Sequence, residues 1–157
     1  MKVEGEISVA APRELLFERL RDAHFFASCI DGVSGLTEVD ERHYTAFFTT
    51  RVAFMKFNFK VSVEMTEIAT PDTIEAKVEG TPVGIVGRLT ATAATKLTEA
   101  DGQNVIAYTI DANLTGKLGS IGQPVLKSKA KEMEKQFAER MAAAFAGGDN
   151  STAGTTA

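Results

Sequence analysis

The chain has 157 residues, 44% of them hydrophobic, which is enough for one domain with a sizeable core. Its formal net charge of −4 argues against the basic surface of a nucleic-acid-binding protein, so we expect no nucleic-acid partner. Its one cysteine excludes an intrachain disulfide and a cysteine-rich metal site, as is typical of the reducing cytoplasm.

The N-terminal part is predicted to contain one strand and two helices. Residues 2–9 alternate between polar and apolar side chains, which indicates a strand and not a signal peptide. Ala11-Pro12-Arg13-Glu14 is expected to open a helix, because proline suits a first turn in which its missing N–H would have no partner. A short second helix over residues 23–30 should end near Asp31-Gly32.

Six further strands are predicted to follow as an antiparallel meander. The clearest pattern is AFMKFNFKVSVEM (residues 53–65), in which apolar and polar side chains alternate with period two. Pro71-Asp72 and Asp101-Gly102 are turn sequences between such runs. The predicted strands cover residues 34–40, 42–51, 53–68, 73–80, 84–99 and 104–115.

The C-terminal part is predicted to form one long helix and a disordered tail. From about Ser120 to Phe145 the apolar period becomes 3.6, and Gly147-Gly148 should end the helix. We therefore predict a domain over residues 1–146 and a small, polar, disordered tail over 147–157. The apolar stripe expected to face the sheet is Leu126, Ala130, Met133, Phe137, Met141 and Ala144.

The same helix carries a row of cations, with Lys127, Lys131 and Lys135 four residues apart on one face. Such a row suits anionic lipid or an acidic partner. Because Glu132, Glu134 and Glu139 are interspersed, an ordinary solvated face is the favoured interpretation. No apolar run reaches the roughly 18–20 residues of a membrane span, so the predicted location is cytoplasmic, with at most peripheral contact on the inner face of the cell membrane.

The inward faces of the strands predict an apolar cavity under the long helix. Small residues in mid-strand leave volume, which either bulky helix side chains or a ligand must fill, and both alternatives remain open. Alanine at Phe57 or Tyr108 should then weaken ligand retention more than it alters the fold. Hydroxyls of Tyr108, Thr95, Tyr44 and Thr50 are the candidate polar contacts. The predicted lining is Phe25, Phe26, Ile30, Phe48, Met55, Phe57, Phe59, Leu89, Ala91, Tyr108, Ile110, Leu118, Ile121, Val125 and Met133.

Catalytic and metal-binding patterns are missing from the sequence. His24 and His43 lie beside no recognisable nucleophile and orienting carboxylate, and Cys29 is expected to be a small buried hydrophobe. No metal motif of the HExxH, Cys-x-x-Cys or calcium-loop type occurs. We therefore predict no catalytic residues, no metal and no enzyme activity.

The order of strand, two helices, six strands and long helix resembles the helix-grip (START-like, SRPBCC) superfamily. That superfamily includes lipid-transfer domains, plant pathogenesis-related class 10 proteins and aromatase/cyclases. Within it, three segments resemble the CoxG family, the G subunit of carbon monoxide dehydrogenase: APRE (11–14), ASCIDG (27–32) and GKLGSIG (116–122). The strand KFNFKVSV (56–63) is comparable too. Asp31 replaces an expected proline, and the tail lacks the long or hydrophobic extension of some members.

This resemblance implies a non-catalytic accessory protein that works beside a molybdenum hydroxylase such as carbon monoxide dehydrogenase. It implies a role in maturation, membrane recruitment or coupling to respiration. Combined with a wall of phenylalanine and methionine, it points to a lipophilic ligand such as a respiratory quinone, menaquinone or ubiquinone. Two alternatives remain: a polyketide cyclase/aromatase-like enzyme of the same fold, and an assembly or recruitment factor without a ligand.

Overall fold

The computed structural model describes residues 1–101 and 103–150, with side chains described for 1–101 and 103–146. It confirms the predicted order of one strand, two helices, six strands and a long helix. The elements are β1 (Lys2–Val9), α1 (Arg13–Arg21), α2 (Ala23–Ser28), β2 (Val33–Glu38), β3 (His43–Val52), β4 (Met55–Ala69), β5 (Thr73–Pro82), β6 (Gly87–Ala100), β7 (Gln103–Gly116), a 3-10 helix (Lys117–Ser120) and α3 (Gln123–Asn150).

The strands form one antiparallel sheet in the order β1-β7-β6-β5-β4-β3-β2. The first strand therefore pairs with the last, which leaves β1 and β2 as the edges. Because side chains alternate across a strand, every second residue points to the face that α3 covers, while the others point to solvent. The α+β helix-grip arrangement predicted from the sequence is confirmed.

Local capping explains how the two short helices connect to the sheet. The Asp22 side chain accepts hydrogen bonds from the backbone N–H groups of His24 (3.0 Å) and Phe25 (3.3 Å), which caps α2. After α2, the carboxylate of Asp31 forms an ion pair with the guanidinium of Arg140 on α3. The residue that departs from the expected proline thus attaches this loop to the long helix.

The turn between β3 and β4 differs from the prediction. Val52 pairs directly with Met55, so Ala53 and Phe54 form a two-residue turn and the strand begins at 55, not 53. Ala53 adopts a φ of 56°, and the Phe54 side chain is 97% exposed. The alternating pattern extended through these residues because neither alanine nor phenylalanine is a typical turn former.

The β5–β6 loop and the end of β7 meet in a close backbone contact. Residues 83–86 are a loop, so β6 begins at Gly87 and not at 84. Gly116 has a φ of 64°, and a Cβ there would lie 2.6 Å from the Val86 carbonyl oxygen. Only glycine fits this position, where the last strand ends close to the β5–β6 loop.

The long helix begins and ends later than predicted. It starts at Gln123 after the 3-10 helix, and it continues through Gly147 and Gly148 to Asn150. Ala144 is exposed, whereas Phe145 is buried four residues after buried Met141, because a spacing of four keeps both side chains on one face. Residues 151–157 of the predicted disordered tail lie outside the described part of the chain, so that prediction is untested there.

The core is divided into two clusters at opposite ends of α3. The helical cluster lies near the C-terminal part of α3 and consists of Ile7, Val9, Ala11, Leu16, Phe17, Leu20, Cys29, Leu97, Ile106, Met141 and Phe145. The aromatic cluster lies near the start of α3 and consists of Val52, Phe57, Phe59 and Leu118, with Phe48, Val61, Ile85, Leu89, Leu114 and Ile121 packed against it. The C-terminal part of α3 is thus held to the sheet by its own side chains, and its start is held through Leu118 and Ile121 of the preceding segment.

Candidate ligand-binding chamber

Between the two clusters, the inner face of the sheet carries small side chains. Ala76 pairs with Ala93 across β5 and β6, and Ala91 pairs with Ala112 across β6 and β7. Ala76, Ala91 and Ala93 remain partly exposed although they point towards α3. Protein interiors normally pack at crystal-like density, so partly exposed apolar side chains under a helix indicate space that the helix does not fill. We call this space, between the alanine floor and α3, the chamber.

Three predicted lining residues lie at the chamber itself. Ala91, Ile110 and Met133 are half-buried, and none of them belongs to either core cluster. Val63 and Val78, which were not selected from the sequence, pair with each other and share this environment. The same period-two pattern that selected their neighbours could have identified both.

Six predicted lining residues form the aromatic end of the chamber. Phe57 and Phe59 are buried, with ring centroids 6.0 Å apart, and Phe48 stacks on Phe59 at 6.4 Å. The remaining three, Leu89, Leu118 and Ile121, pack in the same aromatic cluster. These six side chains are therefore part of the packed core and also form one end of the chamber.

Phe25 and Phe26, which were predicted to line the cavity, pack on α3. The Phe25 ring lies 6.1 Å from that of Phe145, and the Phe26 ring lies 5.2 Å from that of Phe137. Ile30 follows α2 and is half-buried. These aromatic contacts pack α2 on the C-terminal part of α3, beside the helical cluster.

Met55 and Val125 were predicted to line the cavity, but the structure places them on its outer rim. Met55 is 56% exposed beside the β3–β4 turn, and Val125 is 36% exposed at the start of α3. Period-two alternation correctly assigned Met55 to the inward face of β4, whereas Val125 lies outside the apolar stripe predicted for the long helix. Both residues lie outside the region in which the sheet and α3 cover each other.

The main polar feature beside the chamber is a hydrogen bond between sheet and helix. The Tyr108 hydroxyl donates to Glu134 Oε2 at 2.6 Å. Gly5 makes room for this contact, because a Cβ there would lie 2.6 Å from the tyrosine oxygen and 2.9 Å from the carboxyl oxygen. Sequence reasoning treated Glu134 as solvated; its spacing of four from Ala130 and Ala138, on the sheet-facing side of α3, was the available signal.

Glu134 should hold the Tyr108 proton in place. Burial raises the pKa of Tyr108 above its usual value of 10, and the Glu134 hydrogen bond and negative charge raise it further. Stabilisation from a raised tyrosine pKa is complete below pH 10 and is lost as the pH rises above it. In a Tyr44→Phe background, which leaves Tyr108 as the only tyrosine, we expect Glu134→Gln to lower the Tyr108 pKa in an ultraviolet tyrosinate titration. An unchanged titration curve would contradict this coupling.

Two hollows open to solvent near this hydrogen bond. One, of about 420 Å³, separates Glu6–Ser8 of β1 from Lys131, Glu134 and Lys135 of α3, and it forms a cleft along the β1 edge. The other, of about 650 Å³, lies mainly on the outer face of the sheet and includes Glu4, Glu75 and Lys96 among its polar lining. The cleft is the better candidate for access to the chamber, because it lies between the sheet and α3.

The remaining titratable groups form no catalytic arrangement in the described residues. Cys29 is buried, and burial raises the pKa of its thiol, which disfavours the reactive thiolate. His24 Nε2 lies 3.3 Å from Glu38 Oε1, and His43 Nδ1 lies 2.8 Å from Asp40. Among the side chains described for residues 1–101 and 103–146 there is no cluster of histidine, cysteine and carboxylate groups that could hold a metal ion. No helix in that part is long and apolar enough to span a membrane.

Comparison with solved structures confirms the START/Bet v1-like fold. A conserved protein from Geobacillus kaustophilus has a TM-score of 0.85 and 26% identity, covering 94% of this chain and 97% of that one. A START superfamily protein from Mycobacterium smegmatis gives 0.68 and 11%, covering 90% and 94%. Ara h 8.0201 gives 0.64 and 14%, covering 91% and 95%. The search of curated proteins finds no match.

The sequence itself also matches one protein family. The family is CoxG, the G subunit of carbon monoxide dehydrogenase, and its profile aligns with residues 5–146. This range contains every element from β1 through most of α3, together with the three segments that carried the resemblance. The chain therefore belongs to the carbon monoxide dehydrogenase CoxG family.

Proposed function

We propose that this chain is a non-catalytic accessory protein that binds a lipophilic small molecule in the chamber and works with a carbon monoxide dehydrogenase-type molybdenum hydroxylase. One observation carries the proposal: the alanine floor stays partly exposed between two core clusters, one with the C-terminal part of α3 and the other with the segment that leads into it. Apolar walls with few polar groups are the usual composition of a small-molecule site. Membership of the CoxG family supports a carbon monoxide dehydrogenase-type enzyme as the proposed partner.

The proposed ligand is a respiratory quinone, menaquinone or ubiquinone. Phe57 and Phe59 offer stacked aromatic surface at one end, and Met133 offers an adaptable side chain above the floor. A flat ring with an isoprenoid tail suits such walls, and it would accept electrons from a redox partner. The protein would thereby contribute to electron transfer into respiration or to recruiting the hydroxylase to the membrane.

Two observations make a cyclase or aromatase of this fold the weaker candidate. Both histidines are exposed, and the inward titratable groups near the chamber are Tyr44, Tyr108 and Glu134. Tyr108 has a raised pKa and already donates to Glu134, so it is poorly suited to release its proton. A ring-closing enzyme needs an acid–base pair that is free to act on the substrate.

The direct test is native mass spectrometry with organic extraction of the full chain after incubation with menaquinone or ubiquinone. We expect stoichiometric retention of a quinone, and reduction of the bound quinone when a purified carbon monoxide dehydrogenase and its substrate are added. If the protein takes up no lipophile, the result contradicts the carrier role and favours a ligand-free assembly factor. Retention without reduction would keep the ligand and reject the electron-transfer role.

A further inference from the structure

Five large apolar side chains are exposed at the end of the molecule where the β3–β4 turn, the β5–β6 loop and the start of α3 lie. We call this surface the hairpin end. The exposed fractions of these side chains are far larger than those of core residues: Phe54 97%, Met55 56%, Val83 64%, Val86 79% and Val125 36%. Large exposed apolar patches on soluble proteins usually mark an interaction site.

Backbone contacts hold these segments at one end. The Val83 N–H donates to the Asn58 carbonyl at 2.8 Å, which joins the β5–β6 loop to β4 below the turn. The Lys117 N–H donates to the Val86 carbonyl at 2.9 Å, which joins the same loop to the segment leading into α3. The β3–β4 turn with Phe54 at its tip extends beyond this junction, since β4 pairs with β5 only from Phe59 onwards.

The charge at this end is opposite in sign to that of the whole chain. Residues 50–60, 82–92 and 114–128 contain no aspartate or glutamate and carry six of the seventeen lysines and arginines, which leaves eleven cations and all twenty-one acidic residues elsewhere. Arg51 and Lys56 are direct cross-strand partners beside the turn. Like charges at opposed positions destabilise a sheet, so this pair favours an anionic binding partner. Arg88 alone among the six is paired in the described structure, with Glu79 at 3.0 Å.

We propose that the hairpin end docks on an anionic lipid bilayer, with Phe54 inserted below the headgroups and Arg51 and Lys56 against lipid phosphates. An apolar tip flanked by cations binds such surfaces through apolar burial and electrostatic attraction together. This proposal rests on the proposed function, because docking at this end would hold the protein at the bilayer from which the chamber takes its lipophile. It assigns membrane contact to this end, in place of the lysine row along α3.

The test is co-sedimentation of the full chain with phosphatidylcholine vesicles containing about a third phosphatidylglycerol. The wild type should bind these vesicles at low salt and lose binding at high salt, and it should not bind pure phosphatidylcholine comparably. Phe54→Ser should weaken binding about tenfold, from the loss of one buried aromatic side chain. The double variant Arg51→Glu/Lys56→Glu should weaken it further.

Two variants provide matched controls. Val39→Ser removes an apolar side chain that is 66% exposed in the β2–β3 turn, at the opposite end of β3. Lys77→Glu reverses an exposed charge on the outer face of β5. Both should bind vesicles like the wild type. Equal losses in Phe54→Ser and Val39→Ser, or no vesicle binding by the wild type, would overturn the proposal.

Two further readouts separate the remaining outcomes. If size-exclusion chromatography shows a dimer that Phe54→Ser dissociates, and vesicles are not bound, the hairpin end is a self-association surface and the proposal fails. Quinone uptake from detergent solution should be normal in Phe54→Ser, because the chamber is intact. A wild type that binds vesicles but takes up no quinone would support membrane docking and contradict the ligand of the proposed function.

Discussion

Ala91→Phe is expected to reduce quinone uptake by at least about tenfold while leaving the domain folded. Ala91 lies on the alanine floor, where its neighbours across the sheet are Val78 and Ala112. A phenyl ring there would occupy the space that the ligand needs. Uptake is measured by extraction and mass spectrometry, and the free energy of unfolding by chemical denaturation.

The same variant tests whether the chamber is empty. Forcing a larger side chain into a packed core typically costs about 1–3 kcal/mol, whereas filling existing space costs little. We therefore expect the free energy of unfolding to change by less than about 1 kcal/mol. The matched control is Ala94→Phe, which makes the same substitution on the exposed outer face of β6 and should leave uptake unchanged. A large loss of stability with normal uptake would show that the floor is ordinary core.

Phe57→Ala is expected to lower the free energy of unfolding by about 3–5 kcal/mol, the usual cost of removing a buried aromatic side chain. Phe57 is only 5% exposed, and it stacks on Phe59 within the aromatic cluster that also contains Leu118, in the segment leading into α3. From the sequence we expected this change to affect ligand retention more than the fold. Because Phe57 is buried in the core, we now expect the larger effect on the fold. Thermal or chemical denaturation measures the effect directly.

Met133→Ala is the suitable comparison. Met133 is half-buried above the chamber and belongs to neither core cluster, so its truncation should cost about 1 kcal/mol or less while weakening quinone retention. If Met133→Ala destabilised the fold as strongly as Phe57→Ala, the middle of α3 would be packed on the sheet and the chamber would be absent. Ligand contacts are thus best tested at the half-buried positions.

Membrane docking and ligand binding make separate demands on this fold. The chamber requires α3 to stand away from the middle of the sheet, which follows from one cluster packing on its C-terminal part and the other on the segment that leads into it. The hairpin end requires apolar side chains to remain in water, which lowers solubility unless a surface covers them. An unfilled chamber and an exposed apolar surface are both unfavourable for a protein without a ligand or a binding surface. Both are expected in a protein that carries a lipophile.

Local periodicity was sufficient to predict the order of elements and the direction of most side chains, and three short sequence segments carried the family resemblance. Period-two alternation in β4 and β6 correctly assigned Phe57, Phe59, Leu89 and Ala91 to one face of the sheet. It failed at Ala53 and Phe54, where the chain turns with residues of no turn preference, and at Gly147, where the helix continues. Neither boundary has a strong local signal.

How deeply each inward residue is covered depends on contacts between distant segments, which periodicity does not describe. Phe57 and Ala91 point to the same face, yet one is core and the other floors a chamber, because Leu118 and Ile121 cover only the first. Glu134 gained its partner Tyr108 in the same way, through the approach of α3 to β7. Alternation specifies a direction for each side chain, whereas burial follows from where the two clusters hold the helix.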